Sequence, residues 1–350
     1  MQLTIDLSAL CQNYQFLATQ FTGAETGAAV KANAYGLGIE RVAPALYDVG
    51  CRHFFVATIA EAVELRQVLT DKQVRISVLH GLMNGDMDVF IKHQLTPILN
   101  HLTEIEAYLP FANQCDAILH VDTGMRRLGV PLSEIDQIDF ERWTPLYVMS
   151  HLACADEPDH PLNQEQLLKT QNHLTKIPSQ NGVSLCNSSG IFLRNDYHFD
   201  LARPGIALYG GGVQADLRPM KNVVTWQAEI IQIRDMDVGE TYGYGATYHA
   251  ETKRKIAILS CGYADGLHRI LSNQGFVVAN GQKCPIIGRV SMDLTGIDIT
   301  DLSTEMKLGD YVELIGPQMH VAELAKRAQT IDYELLTGLG QRAQRCYLDR

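Results

Sequence analysis

No run of lysines and arginines longer than the three residues Lys253-Arg254-Lys255 occurs in this sequence, and the formal net charge is -11. Nucleic acids and anionic membranes are bound chiefly through clustered cations, so neither is expected as a partner. Nor do about 18 uncharged apolar residues run together, the length a membrane helix needs. The opening Met1-Gln2-Leu3-Thr4-Ile5-Asp6 has no basic start and no long apolar run, so export is not expected and the cytoplasm is. The eight cysteines are dispersed without a C-x-x-C pair, which argues against a disulfide framework and against a zinc site. No metal is expected. Internal repeats and low-complexity tracts are also missing. What is present is an ordinary globular composition, with 46% hydrophobic residues in 350. That length supports one large domain and a smaller one, each with its own core.

From the first residues to about residue 213, short β-branched or apolar runs alternate with longer amphipathic ones, as repeated βα units do. Strands are expected at 28–30, 53–57, 76–79, 96–99, 117–121, 146–149, 183–186, and at 201 with the apolar run 205–208. The stretch 60–69 reads as one of the intervening helices. Eight strands fit a closed (β/α)8 barrel of the TIM type, with an open doubly wound sheet as the competing topology. In a barrel, residues just after the strands line the C-terminal face where such enzymes keep their sites, and Lys31, Asp122, His151, Asn187 and Arg203 fall there. Near Gly210-Gly211-Gly212 the rhythm changes. Alternating apolar runs at 223–233, 255–260, 276–278, 285–287 and 311–315, separated by Gly, Asn and Asp turns, read as a mainly-β domain. Helical patterns there are confined to 319–329 and 333–336. The expected division is 1–220 and 221–350.

One stretch organises the rest: Val30-Lys31-Ala32-Asn33-Ala34-Tyr35-Gly36-Leu37-Gly38. A lysine among small residues at the end of an apolar run is either an amine presented to a carbonyl group or a strand-end lysine reaching for water, and the stretch alone fits both equally. V-K-A-N-A-Y-G-x-G resembles the pyridoxal-phosphate attachment motif of alanine racemases. In that family the lysine carries the cofactor and the tyrosine four residues on binds its phosphate, which implies those roles for Lys31 and Tyr35. Leu37 stands where the family usually has histidine.

Further segments match the family in order, so the resemblance spans nearly the whole chain. Asn187-Ser188-Ser189-Gly190 and Arg203-Pro204-Gly205-Ile206 resemble the segments that hold the phosphate and, through the arginine, the pyridine nitrogen. Asn187, Ser188, Gly205 and Ile206 are thereby implied as cofactor contacts, and an arginine at the ring nitrogen would discourage transamination, because it does not surrender its proton. In Asp122-Thr123-Gly124-Met125-Arg126-Arg127, the implied ligand of the cofactor's phenolic oxygen and the substrate carboxylate is Arg127. Where many members have a carbamylated lysine behind that arginine, this chain has His120, so another group, chloride or a carboxylate, would have to support Arg127. His151 matches a histidine that hydrogen-bonds the second catalytic base, and Asp156 an acidic residue at the entryway.

That second base is implied to be Tyr244, in Tyr242-Gly243-Tyr244-Gly245. Inverting a stereocentre needs an acid/base on each face, and one base alone would exchange the proton with retention. In the family the tyrosine comes from the partner subunit, which implies a homodimer with shared sites. Tyr263, Arg269, Arg289, Ser291, Met292, Asp293 and Tyr333 match segments lining the entry channel, the carboxylate site and the phosphate site, Ser291 replacing a common cysteine. The resemblance thus implies a pyridoxal-phosphate enzyme interconverting L- and D-alanine for peptidoglycan. A broader amino-acid racemase, serine included, is the alternative. A fold-related basic-amino-acid decarboxylase would need a glycine-rich phosphate loop that is not found, and a cofactor-carrier protein would lack Tyr244 and Tyr333.

Overall fold

The computed structural model describes residues 1–82, 87–212 and 220–349. Residue 213, where the alternating pattern was expected to end, lies outside them. The chain divides into two compact units, one of Leu10–Leu208 with Gly212–Met220, the other of Met1–Ala9, Tyr209–Gly211 and Lys221–Arg350.

In the first unit seven parallel strands follow one another in the sheet in chain order: Ala28–Ala29, His53–Val56, Arg75–Val78, Thr96–Leu99, Ile118–Asp122, Val148–Met149 and Val183–Ser184. Every residue of His53–Val56 and Thr96–Leu99 is buried, because a parallel sheet is covered on both faces and its strands are largely apolar, the buried His53 being paired with Ser77. The eighth strand, Leu201–Ala202, pairs with Glu25–Thr26. Single backbone bonds complete the ring around it. Asp200 and Arg203 donate to the carbonyls of Val183 and Cys186, while Gly27 and Ala29 donate to those of Ala202 and Pro204, all at 2.8 to 2.9 Å. The result is a TIM-type barrel. The run 205–208, expected to extend the eighth strand, is instead a 3-10 turn, Ile206–Tyr209. Pro204 has no N–H for a ladder, and the turn's Ala207 amide bonds Ser188 instead. The helix Ile59–Val68 starts with a capping box between Thr58 and Glu61.

The second unit is built on a 13-residue strand, Val224–Met236, whose first seven residues alternate buried and half-buried positions. It pairs antiparallel with Arg254–Leu259, Tyr311–Ile315 and Gln2–Asp6. Gln2–Asp6, counted with the N-terminal domain in the sequence, therefore belongs to the β-rich unit, where Leu3 and Ile5 are fully buried. Two strands of this unit carry little sequence signal. Thr295–Asp298 contains Gly and Asp, and Gln344–Leu348 has no buried residue; pairing partners decide both. Among the described residues no helix is long and apolar enough to cross a membrane, and all eight cysteines are free.

Candidate active site

Lys31 follows the first barrel strand, and the backbone then does something unusual. Ala32, Asn33, Ala34 and Tyr35 have φ of 52, 53, 53 and 55°, four consecutive non-glycine residues in the left-handed region. Each costs roughly 1–2 kcal/mol against a right-handed residue, so the surroundings must over-determine the turn. They do so through hydrogen bonds. Ala34 and Gly36 donate to the carbonyls of Val30 and Ala32 at 2.9 and 2.8 Å. Asn33 Oδ1 accepts from the Ile39 amide at 2.7 Å, and Glu61 Oε1 accepts from the Ala32 amide at 2.7 Å. The turn leaves Lys31 half-buried and Tyr35 buried. Burial pulls the Lys31 ammonium below its ordinary pKa, Arg127 adds to that pull, and Glu61 opposes it.

The Tyr35 hydroxyl lies against Gly205: a Cβ there would stand 2.3 Å from that oxygen. Beside it Ser188 Oγ accepts the amides of Gly205 at 2.8 Å and Ala207 at 3.3 Å. Ile206 stands between those two residues and opens the 3-10 turn that carries the Ala207 amide. Tyr35, Ser188, Gly205 and Ile206 are thus brought together. Asn187 sits next to them with its side chain engaged, accepting the Gly190 amide at 2.9 Å and donating to the Leu152 carbonyl at 3.4 Å.

Arg203 is buried, and three groups hold it. Its guanidinium donates to Ser184 Oγ, to the Ser150 carbonyl at 2.6 Å and to His151 Nδ1 at 3.2 Å. Burial lowers its pKa to about 10, which leaves it protonated at neutrality. Because Arg203 can only donate, His151 Nδ1 must accept, and the ring proton sits on Nε2. His151 is neutral: burial, then Arg203, Arg127, His120 and Lys31, push its pKa well below the ordinary histidine value. His120 is neutral as well, lowered to about 3 by burial first and Arg203 next, with Nδ1 placed 2.8 Å from Asn100 Oδ1. Arg127 is exposed after Arg126, whose φ is +56°. The neighbouring Asp122 carboxylate is spent on the amides of Gly124 and Arg126. No hydrogen bond of the Arg127 guanidinium is found among the described residues.

In the β-rich unit, Tyr244, Tyr263, Arg269, Arg289, Val290 and Ser291 line an open cleft of about 290 Å³. Tyr244 is 73% exposed on a turn whose flanking Gly243 and Gly245 have φ of +77 and +71°. Arg289 lies 3.1 Å from where a Cβ at Gly245 would be. Met292 is exposed, and its carbonyl accepts the Ala264 amide at 3.0 Å. Ser291 Oγ closes a turn with Leu294. Tyr333 lies on the helix Asp332–Thr337, and Asp156 is exposed in the first unit.

Two sequence profiles match: that of the alanine racemase N-terminal domain over residues 5–212 and that of the C-terminal domain over 223–347. The chain belongs to the alanine racemase family. It is 41% identical to the alanine racemase of Rhizobium meliloti, over 99% of this chain and 96% of that one. With the catabolic alanine racemase of Agrobacterium fabrum it shares 44%, over 99% and 92%. The crystal structure of the Bartonella henselae enzyme with covalently bound pyridoxal phosphate superposes with a TM-score of 0.94 at 40% identity, covering 99% of both chains.

Other members of the constellation escape motif reading. Gln166, fully buried, donates to Thr123 Oγ1 and the His151 carbonyl at 3.0 and 2.8 Å and accepts the Ala153 amide at 2.9 Å. It ties together two loops of this racemase-family barrel. Arg342 grips both oxygens of buried Asp265, at 2.7 and 2.8 Å, and reaches Asp293 at 2.6 Å, fixing the loops that carry Tyr263 and Met292. A glutamine in a polar helix and an arginine near the C-terminus give no local sign of such roles.

Proposed function

We propose that this isomerase, which racemises alanine with pyridoxal phosphate, moves the α-proton with two bases, Lys31 on one face and the partner subunit's Tyr244 on the other. The barrel residues fit the cofactor. An amine stands at a strand end, Gly205 leaves the gap beside Tyr35 that a Cβ would fill, and Ser188 already receives two amides on its oxygen, so its hydroxyl proton is available to a phosphate. When bound, pyridoxal phosphate acts as an electron sink that acidifies the α-carbon proton of an attached amino acid. Lys31, already drawn toward its neutral form by burial, takes the proton of D-alanine and returns one to form it. Tyr244 does the same for L-alanine. Arg127, with a guanidinium free of other bonds among the described residues, receives the substrate carboxylate, and Met292 assists. Arg203, its position fixed by Ser184, Ser150 and His151, would be the partner of the ring nitrogen when the cofactor is bound.

The observation that carries the two-chain reading is exposure. Tyr244, Tyr263 and Met292 are left 73, 43 and 54% accessible in one region of the chain, and apolar side chains grouped this way mark a surface that another protein covers. A homodimer with two shared sites accounts for it. The enzyme works in the cytoplasm and supplies D-alanine for peptidoglycan; a deletion strain that grows only with added D-alanine would support that role, against the catabolic one for which one relative is named. Tyr244→Phe should lower racemisation by about 10²–10⁴-fold, the range for losing a general acid/base, while the visible absorbance of the bound cofactor persists. Retained activity would remove Tyr244 from the mechanism. A circular-dichroism screen of amino acids should show alanine racemised in preference to serine.

A further inference from the structure

Glu61 lies outside every motif described above. It is the third residue of the helix Ile59–Val68, and as part of a capping box its carboxylate would be expected to reach back to the residue before that helix. It does: Oε2 accepts the amides of Ala57 at 2.7 Å and Thr58 at 3.2 Å. The other oxygen does something a cap does not require. Oε1 accepts, at 2.7 Å, the amide of Ala32, 29 residues earlier in the chain, at the end of the neighbouring barrel strand. That amide belongs to the residue after Lys31 and opens the left-handed turn.

We infer that Glu61 is a positioning residue for Lys31, a carboxylate clamp joining the ends of the first two barrel strands so that the left-handed turn, and the lysine at its head, keep one orientation. This rests on Lys31 being the reacting amine. The physical case is local. Three charge-assisted bonds converge on one carboxylate, two of them at 2.7 Å, and such bonds are about twice as strong as neutral ones. The turn has four strained residues and can persist only if its amides are held. The same carboxylate is the anion that favours the Lys31 ammonium. Glu61 thus opposes burial and Arg127 at the amine.

Three chains decide it: the wild type, Glu61→Gln and Thr58→Ala. Glutamine is isosteric, but it carries no charge and offers one oxygen where two are used. Thr58→Ala removes the helix cap, the hydroxyl that receives the Glu61 amide at 3.3 Å, and leaves the clamp. Competitive acetylation of the cofactor-free protein, followed by peptide mass spectrometry, reads the pH midpoint of Lys31 itself. Glu61→Gln should move that midpoint to lower pH, and the reconstituted enzyme should lose kcat on the order of a hundredfold, the cost of about 1 Å of misplacement, with less change in KM. Thr58→Ala should lower thermal stability alone. If Glu61→Gln leaves the Lys31 midpoint where the wild type has it, Glu61 is only a cap and the inference fails. Borohydride reduction of the wild-type holoenzyme keeps the two readings apart. An adduct on another lysine would overturn the role given to Lys31, while the acetylation midpoints would still judge the clamp.

Discussion

At Lys31 two influences add and one subtracts: burial and Arg127 disfavour the ammonium, and Glu61 favours it. As the proposed base on the D-alanine face, Lys31 must be neutral to act, so the rate should fall as pH drops through the lowered Lys31 value and recover above it. Replacing Arg127 by Gln removes a repelling charge. The Lys31 midpoint, read by acetylation of the cofactor-free protein, should rise toward the ordinary lysine value, and an unchanged midpoint would show that the guanidinium does not act on the amine. Gly205 offers a steric test. Gly205→Ala places a Cβ 2.3 Å from the Tyr35 hydroxyl, which has to move. Such overpacking costs about 1–3 kcal/mol, so if that cost falls on the bound state, cofactor retention in equilibrium dialysis should weaken by about fivefold or more. Lys31, Tyr35, Ser188 and Arg203 are singled out in the sequence by the resemblance of their segments to family motifs, and the barrel places Tyr35 and Ser188 together beside Gly205. Glu61 and Gln166 are not legible in this way. A glutamate three residues after a threonine signals only a helix start, and the partners of both lie on other strands.

Among the elements, barrel strands announce themselves through short apolar runs, and the helix Ile59–Val68 through its alternating apolar and charged positions. The left-handed turn gave no such notice. Ala, Asn, Ala and Tyr carry no demand for positive φ, and only Gly36 and Gly38 beyond them hint at it. The turn is imposed by its hydrogen bonds, which predicts how it responds to substitution. Ala32→Gly removes the Cβ penalty at φ 52° and, after the entropy of glycine is counted, should raise stability by up to about 1 kcal/mol. Ala32→Val puts a branched side chain in the same region and should destabilise by more than that. Thermal denaturation of both compares them directly, and similar melting temperatures would mean that the backbone relaxes out of the left-handed region. The edge strand Gln344–Leu348 escaped for the opposite reason: it buries nothing, so it leaves no periodicity to read.

For the whole molecule, the decisive question is which chain supplies the phenol to each amine. Mixing Lys31→Ala with Tyr244→Phe chains, each inactive alone, settles it. If every site draws on two copies, a mixed dimer has one intact site out of two, and random pairing should restore about a quarter of wild-type activity. If both groups act from one chain, mixing restores nothing. Sedimentation equilibrium of the mixture supplies the dimer fraction against which recovery is scaled.

The contact between Arg203 and His151 has a consequence for whatever docks beside it. Since the guanidinium occupies the Nδ1 lone pair, the imidazole is committed to outward giving through Nε2, like a socket wired with one polarity. An arriving oxygen is welcomed through its lone pairs and gains nothing from its own hydrogen. A phenol docking there, as proposed for Tyr244, would therefore be favoured in its electron-rich form before it arrives.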